Sequence, residues 1–180
     1  MVCRCVSEQV LEKMSVEKSR WEVVSTGNNW ICWIPPPTDV IKANFDAVVW
    51  EDGHATVACV FRNDKGTILM AAGFNCDYES AAEAEMRAAW ETIRLTKERF
   101  VECKLWLEGD ANSVITELQV WHDVANPSVM LEDARRMLMG MEVYRITHIY
   151  REGNKCADLM TKWIRGRESQ VLRREDLPWS

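Results

Sequence analysis

The chain has 180 residues, 47% of them hydrophobic, and a formal net charge of −6. That length holds one domain with a full core plus an extension and excludes two ordinary domains. The acidic balance argues against a nucleic-acid binder of the basic-patch kind, and neither a membrane-spanning run of roughly 20 apolar residues nor a signal-like opening block is present, so an intracellular, unsecreted protein without membrane contact is expected.

Residues 1 to 20 mix Val6, Val10, Leu11 and Met14 with Glu8, Glu12, Lys13, Glu17 and Lys18, the pattern of an amphipathic helix with i,i+4 charge pairs. Ser25 to Asn29 is turn chemistry, and Pro35-Pro36-Pro37 imposes an extended segment. The chain thus divides into an extension over 1–32, a domain over 33–165 and a tail over 166–180. A protein partner is expected at residues 1–32.

Ile41 to Trp50 reads as the first strand of the domain. Alternation sends Ile41, Ala43, Phe45, Ala47 and Val49 to one face and Lys42, Asn44, Asp46, Val48 and Trp50 to the other. Asp46 is the odd member: it is either a solvated carboxylate or one whose lost hydration is offset by a cation, a hydrogen-bond donor or a metal. Ala55–Arg62 and Thr67–Phe74 are two further strands, joined by the hairpin turn Asn63-Asp64-Lys65-Gly66.

A helix is predicted over Glu79–Phe100, with Ala82, Met86, Ala89, Trp90, Ile93 and Phe100 on one stripe and Glu85 at its edge. A fourth strand spans Glu102–Leu107 and ends at Glu108-Gly109-Asp110. Helical pattern follows at Val114, Ile115 and Leu118, breaks at Asn126-Pro127 and returns at Leu131, Ala134, Leu138 and Met141. A fifth strand covers Tyr144–Tyr150, and a closing helix Lys155–Ile164. The order β-β-β-α-β-α-β-α implies an α/β fold: a five-stranded mixed sheet with helices on its faces. Seven cysteines, odd in number and without a Cys-x-x-Cys pair, suggest neither a disulfide framework nor a zinc site.

Asp110 follows a strand, Glu85 faces sideways from the long helix, and Asp158 lies near the start of the last helix. Each has an ordinary reading: a helix cap for Asp110, a flank charge for Glu85, a favourable dipole for Asp158. Specificity lies in the surrounding words: Trp33-Ile34-Pro35-Pro36-Pro37, Lys42-x-Asn44-x-Asp46, Arg62-Asn63-Asp64-x-Gly66, Ala84-Glu85-x-x-Ala88, Leu107-Glu108-x-Asp110 and Arg151-Glu152-x-Asn154-x-x-Ala157-Asp158, in that order. Over Trp33 to Ile164 the chain resembles the plant ribonuclease H-like domains, relatives of retroelement reverse transcriptases with the type 1 ribonuclease H fold.

That resemblance implies a magnesium-dependent endonuclease that hydrolyses the RNA strand of RNA/DNA hybrids. Asp46, Glu85, Asp110 and Asp158 match the family's catalytic, metal-binding acids, which hold two Mg2+ ions, with Mn2+ as a substitute. Carboxylates suit magnesium because it takes hard oxygen ligands. Arg151 and Asn154 are the candidates for contacting nucleic acid, with a strand-end ion pair and a helix N-cap as their ordinary readings.

The chain departs from the family pattern at Ala47 and Ala58, where relatives carry glycine, and no histidine stands in the loop before Asp158; His148 falls within a predicted strand. Alanine at those places costs on the order of 1 kcal/mol wherever φ is positive. The late cations Lys162, Arg165, Arg167, Arg173 and Arg174 read equally as a polyanion contact and as a solvated tail. A module of the same fold that binds nucleic acid or a protein without cutting is the competing expectation.

Overall fold

A computed structural model describes residues 24–26, 29–31, 33–77, 80–120 and 126–174. The predicted N-terminal helix, His122 and the end of the chain lie outside the described residues. Two short strands, β1 (Val24–Thr26) and β2 (Asn29–Ile31), pair antiparallel across the predicted turn.

Six strands form the main sheet: β3 (Val40–Val49), β4 (His54–Arg62), β5 (Ile68–Asp77), β6 (Lys104–Gly109), β7 (Val143–His148) and β8 (Gln170–Arg173), in the spatial order β7-β6-β3-β4-β5-β8. β4 runs antiparallel to β3, β5 to β4 and β8 to β5, while β6 lies parallel to β3 and β7 parallel to β6. Parallel neighbours require crossovers, and helices provide them: α1 (Ala81–Arg99) precedes β6, α2 (Asn112–Gln119) and α3 (Val129–Met139) precede β7, and α4 (Lys155–Ile164) follows it.

The five predicted strands are all present, and β8 is an addition within what reads in sequence as a tail. Gly166, at φ 70°, lets the chain reverse after α4. Asn75 then holds the returning segment, its side chain donating to the Arg167 carbonyl and its backbone N–H to Ser169 Oγ. Four residues, Gln170 to Arg173, suffice to cover the edge of β5 but are too few to show a periodicity.

Alternation along β3 decides which layer each residue joins. Ala43 and Phe45 point into the main core with Ile93 and Leu95 of α1, Leu118 of α2 and Leu131 of α3. The opposite face carries a smaller cluster in which Ala58, Val60 and Ala71 meet Cys156, Met160, Trp163 and Ile164 of α4. The buried stripe of α1 runs through Ala84, Met86, Ala88, Ala89 and Ile93, whereas Ala82, predicted to lie on it, is exposed. Among the described residues no helix is long and apolar enough to cross a membrane.

Candidate metal centre and active site

Asp46 lies near the end of β3, Asp110 directly after β6, and the first turns of α1 bring Glu85 over the same end of the sheet. Each offers an oxygen within 4.8 Å of the others. Gly109 makes the approach feasible: it pairs in register with Phe45, and a Cβ there would collide with the Phe45 ring. The two strands can therefore close up just before each delivers its acid.

These groups are held where water screens them poorly. Asp46 is 4% exposed, and its carboxyl is pushed up to about 8, first by burial and then by the charges of Asp110 and Asp158. Glu85 is pushed up to about 9 by burial and by Asp46 and Asp110, although the Ala47 backbone N–H donates to it. Glu85 Oε2 is buried without a hydrogen-bond partner. A buried, unpartnered carboxylate oxygen beside two further carboxylates is an arrangement that could hold a metal ion.

Asp158, expected as a fourth member, is not part of that group of three. It sits on the first turns of α4, close enough for its charge to act on Asp46, but its Oδ2 accepts from Lys162 Nζ at 2.6 Å. Its Oδ1 is 3.6 Å from Arg151 Nη2 and makes no hydrogen bond. Thr161 links the two parts of the site: its hydroxyl, fully buried, lies 3.3 Å from Asp46 Oδ2 and 2.8 Å from the Asp158 carbonyl.

Asn154 has a different place from the one expected. It opens α4 without a side-chain cap and is 1% exposed, its amide donating to the Phe45 carbonyl at 2.8 Å and to Asp110 Oδ1 at 3.2 Å. It is thus a brace beneath Asp110, with little surface left for nucleic acid. Arg151, with its side chain 68% exposed, faces solvent beside Asp158. His148 is exposed at the end of β7, paired in register with Gly109 and packed edge-on against Tyr150. Among the described residues only Asp39 and Asn126 combine a side chain with positive φ, so Ala47 and Ala58 carry no backbone strain of that kind. Of the late cations, Lys162 is taken by Asp158, and Arg165 lies over Trp50 and reaches Asp52.

Sequence reasoning missed a second buried network on the same face of β3. Lys42, 1% exposed, pairs with Glu108 at 2.7 Å, donates to the Ile34 carbonyl and lies against the rings of Trp33 and Trp106. Asn44 accepts from Trp33 Nε1 and Arg62 Nη2 and donates to Glu108 Oε1. Its members stand in the same motif words as the acids: Lys42 and Asn44 precede Asp46, and Glu108 precedes Asp110. That shared membership is the signal that could have revealed them.

The comparisons agree with this architecture. The structure resembles that of ribonuclease H1 from the archaeon Halobacterium salinarum, with a TM-score of 0.59 and 26% identity over 68% of this chain and 94% of that one. The N-terminal ribonuclease H domain of a Mycobacterium tuberculosis protein shares the fold at TM-score 0.61 and 14% identity, covering 68% of this chain and 90% of that one. So does LC11-ribonuclease H1, solved in complex with an RNA/DNA hybrid, at TM-score 0.59 and 18% identity, covering 68% and 94%. The comparison with curated proteins gave no match. Residues 44–164, which contain all four acids, match the family described as reverse transcriptase-like, and the chain belongs to that family, with the fold of the type 1 ribonucleases H.

Proposed function

We propose that the protein is a divalent-metal-dependent nuclease that hydrolyses the RNA strand of RNA/DNA hybrids. The observation that carries the reading is the convergence of Asp46, Glu85 and Asp110 within 4.8 Å, with Glu85 Oε2 buried and unpartnered. Asp46, Glu85 and Asp110 would hold a divalent cation, with Asp158 beside them as a fourth donor. Mg2+ is the ion proposed, because all the donors are hard carboxylate oxygens. When bound, such ions activate a water and neutralise the oxygen that leaves the phosphodiester.

The chain's own residues prepare this chemistry. Asn154 and Gly109 fix where Asp110 stands, and Thr161 fixes one oxygen of Asp46. The exposed guanidinium of Arg151 gives the cation that a phosphate beside Asp158 needs on a protein of net charge −6. A hybrid substrate is supported by the shared fold of LC11-ribonuclease H1, which was solved in complex with an RNA/DNA hybrid. Recognition of that kind rests on shape, phosphates and the 2′-hydroxyl.

The test is cleavage of a labelled RNA/DNA hybrid with Mg2+, beside duplex DNA and beside the Asp110→Asn protein. Cuts in the RNA strand alone, abolished by the substitution and by chelation, are expected. Tight binding of the hybrid without cleavage would replace this reading with that of a non-cutting module, and cleavage of duplex DNA would replace the substrate.

A further inference from the structure

Three of the four acids converge, while the fourth already holds a cation belonging to the chain. Lys162 and Asp158 stand one helical turn apart on α4, so the helix itself presents the ammonium to the carboxylate. The Lys162 side chain is 53% exposed and that of Asp158 8%: an ammonium on a half-exposed stem reaches down to a buried carboxylate. Thr161 fixes the backbone of that turn through the Asp158 carbonyl, so the flexible stem of Lys162 is the part free to move. Arg151, at 3.6 Å, is the looser partner of the same carboxylate.

We propose that Lys162 takes the place of a second divalent ion at Asp158. Without nucleic acid the protein then holds one ion tightly, on Asp46, Glu85 and Asp110, and admits another only as Lys162 withdraws. The physical reason is competition at one carboxylate: an ammonium within 2.6 Å of Asp158 Oδ2 both occupies a donor oxygen and repels an approaching dication. This inference rests on the reading of the acids as a metal site.

Titration of the protein with Mn2+, without nucleic acid, separates the two ideas, with free ion followed by electron paramagnetic resonance and heat by calorimetry. The unmodified chain should bind one ion tightly and a second at least tenfold more weakly. Lys162→Gln should tighten the second ion by about tenfold, the effect of removing one nearby charge in a largely aqueous setting, and leave the first within about twofold. Lys162→Arg, which keeps the charge, should behave like the unmodified chain. Two equally tight ions in the unmodified protein, or a Lys162→Gln profile that overlays it, would overturn the role of Lys162 and leave the metal site standing. Binding of no ion, or ion binding that Glu85→Gln leaves unchanged, would overturn the metal site itself.

Discussion

Asp46→Asn separates the stability cost of the acidic cluster from its use. Asp46 is buried, and its carboxyl is pushed up from the ordinary 3.8 to about 8, with burial as the main cause and the charges of Asp110 and Asp158 behind it. A carboxyl raised in this way contributes stability that is fully present below the unfolded pKa and is lost as pH climbs towards the folded one. At pH 7 the folded protein must keep a proton that the unfolded chain gives up, which costs on the order of 4 kcal/mol; at pH 4, close to the unfolded pKa, almost nothing is lost. Asparagine keeps the shape and can still accept the Thr161 hydroxyl. The metal-free variant should therefore be more stable than the parent at neutral pH, by up to about 4 kcal/mol, or roughly 8–16 °C in Tm for a chain of this size. Thermal melts in chelator across pH 4 to 8 read this directly, and the gap between the proteins should widen steadily over that range. Saturating Mn2+ should stabilise the parent and close the gap, because an ion that binds the folded state alone raises its stability by mass action. A variant less stable at pH 7, or a gap indifferent to pH, would refute the account of Asp46 as a carboxylate held against its charge.

The same raised groups predict that metal binding expels protons: with Asp46 near 8 and Glu85 near 9, calorimetry at pH 7 in buffers of different ionisation enthalpy should show release of about one to two protons per ion, falling towards zero above pH 9. Gly109→Ala should destabilise the fold by about 1–3 kcal/mol in chemical denaturation and lower metal affinity too, since the added Cβ drives the Phe45 ring and the two acid-bearing strands apart. Lys42→Met should cost about 3–5 kcal/mol by leaving the Glu108 carboxylate buried beside Asn44 and Thr147 without its ammonium, whereas Lys42→Met with Glu108→Gln should recover much of that loss. Equal losses in the single and double variants would show that the Lys42–Glu108 pair is not the source of the cost.

Long, strongly periodic elements were legible in the sequence because their burial is set locally. β3 alternates as read, and α4 spans the predicted Lys155–Ile164 to the residue. The stripe of α1 was displaced because burial on that helix is shared with charge: Glu91, 4% exposed, lies on the protein side with Arg87 and Arg94 holding its two oxygens, while apolar Ala82 is left outside. Hydrophobicity alone could not anticipate a glutamate that is buried because it is paired. For the site, the same limit appears at Asn154. Its sequence position, just ahead of a helix, fits a cap, but the amide turns inward because Phe45 and Asp110 arrive there from two other strands, 109 and 44 residues away in the chain.

That long reach explains why the motif words contain more than the acids. A carboxylate cluster at the end of parallel strands is only as well placed as the strands are relative to each other, and β3 and β6 meet across a crossover of more than 50 residues. Lys42, Asn44 and Glu108 fix that meeting two and four residues before the acids, with Trp33 laid over them from the segment ahead of the sheet. Within about 7 Å along each strand the same face thus passes from a closed network, in which the charge of Glu108 is matched by Lys42, to an open one, in which Asp46, Glu85 and Asp110 crowd together and the first two are held above the ordinary carboxylate range. The closed half resists slippage of one strand past the other because any shift would strip a buried ion pair of its partner. The open half can then keep its acids for a ligand, since the strands that carry Asp46 and Asp110 are fixed independently of whatever binds.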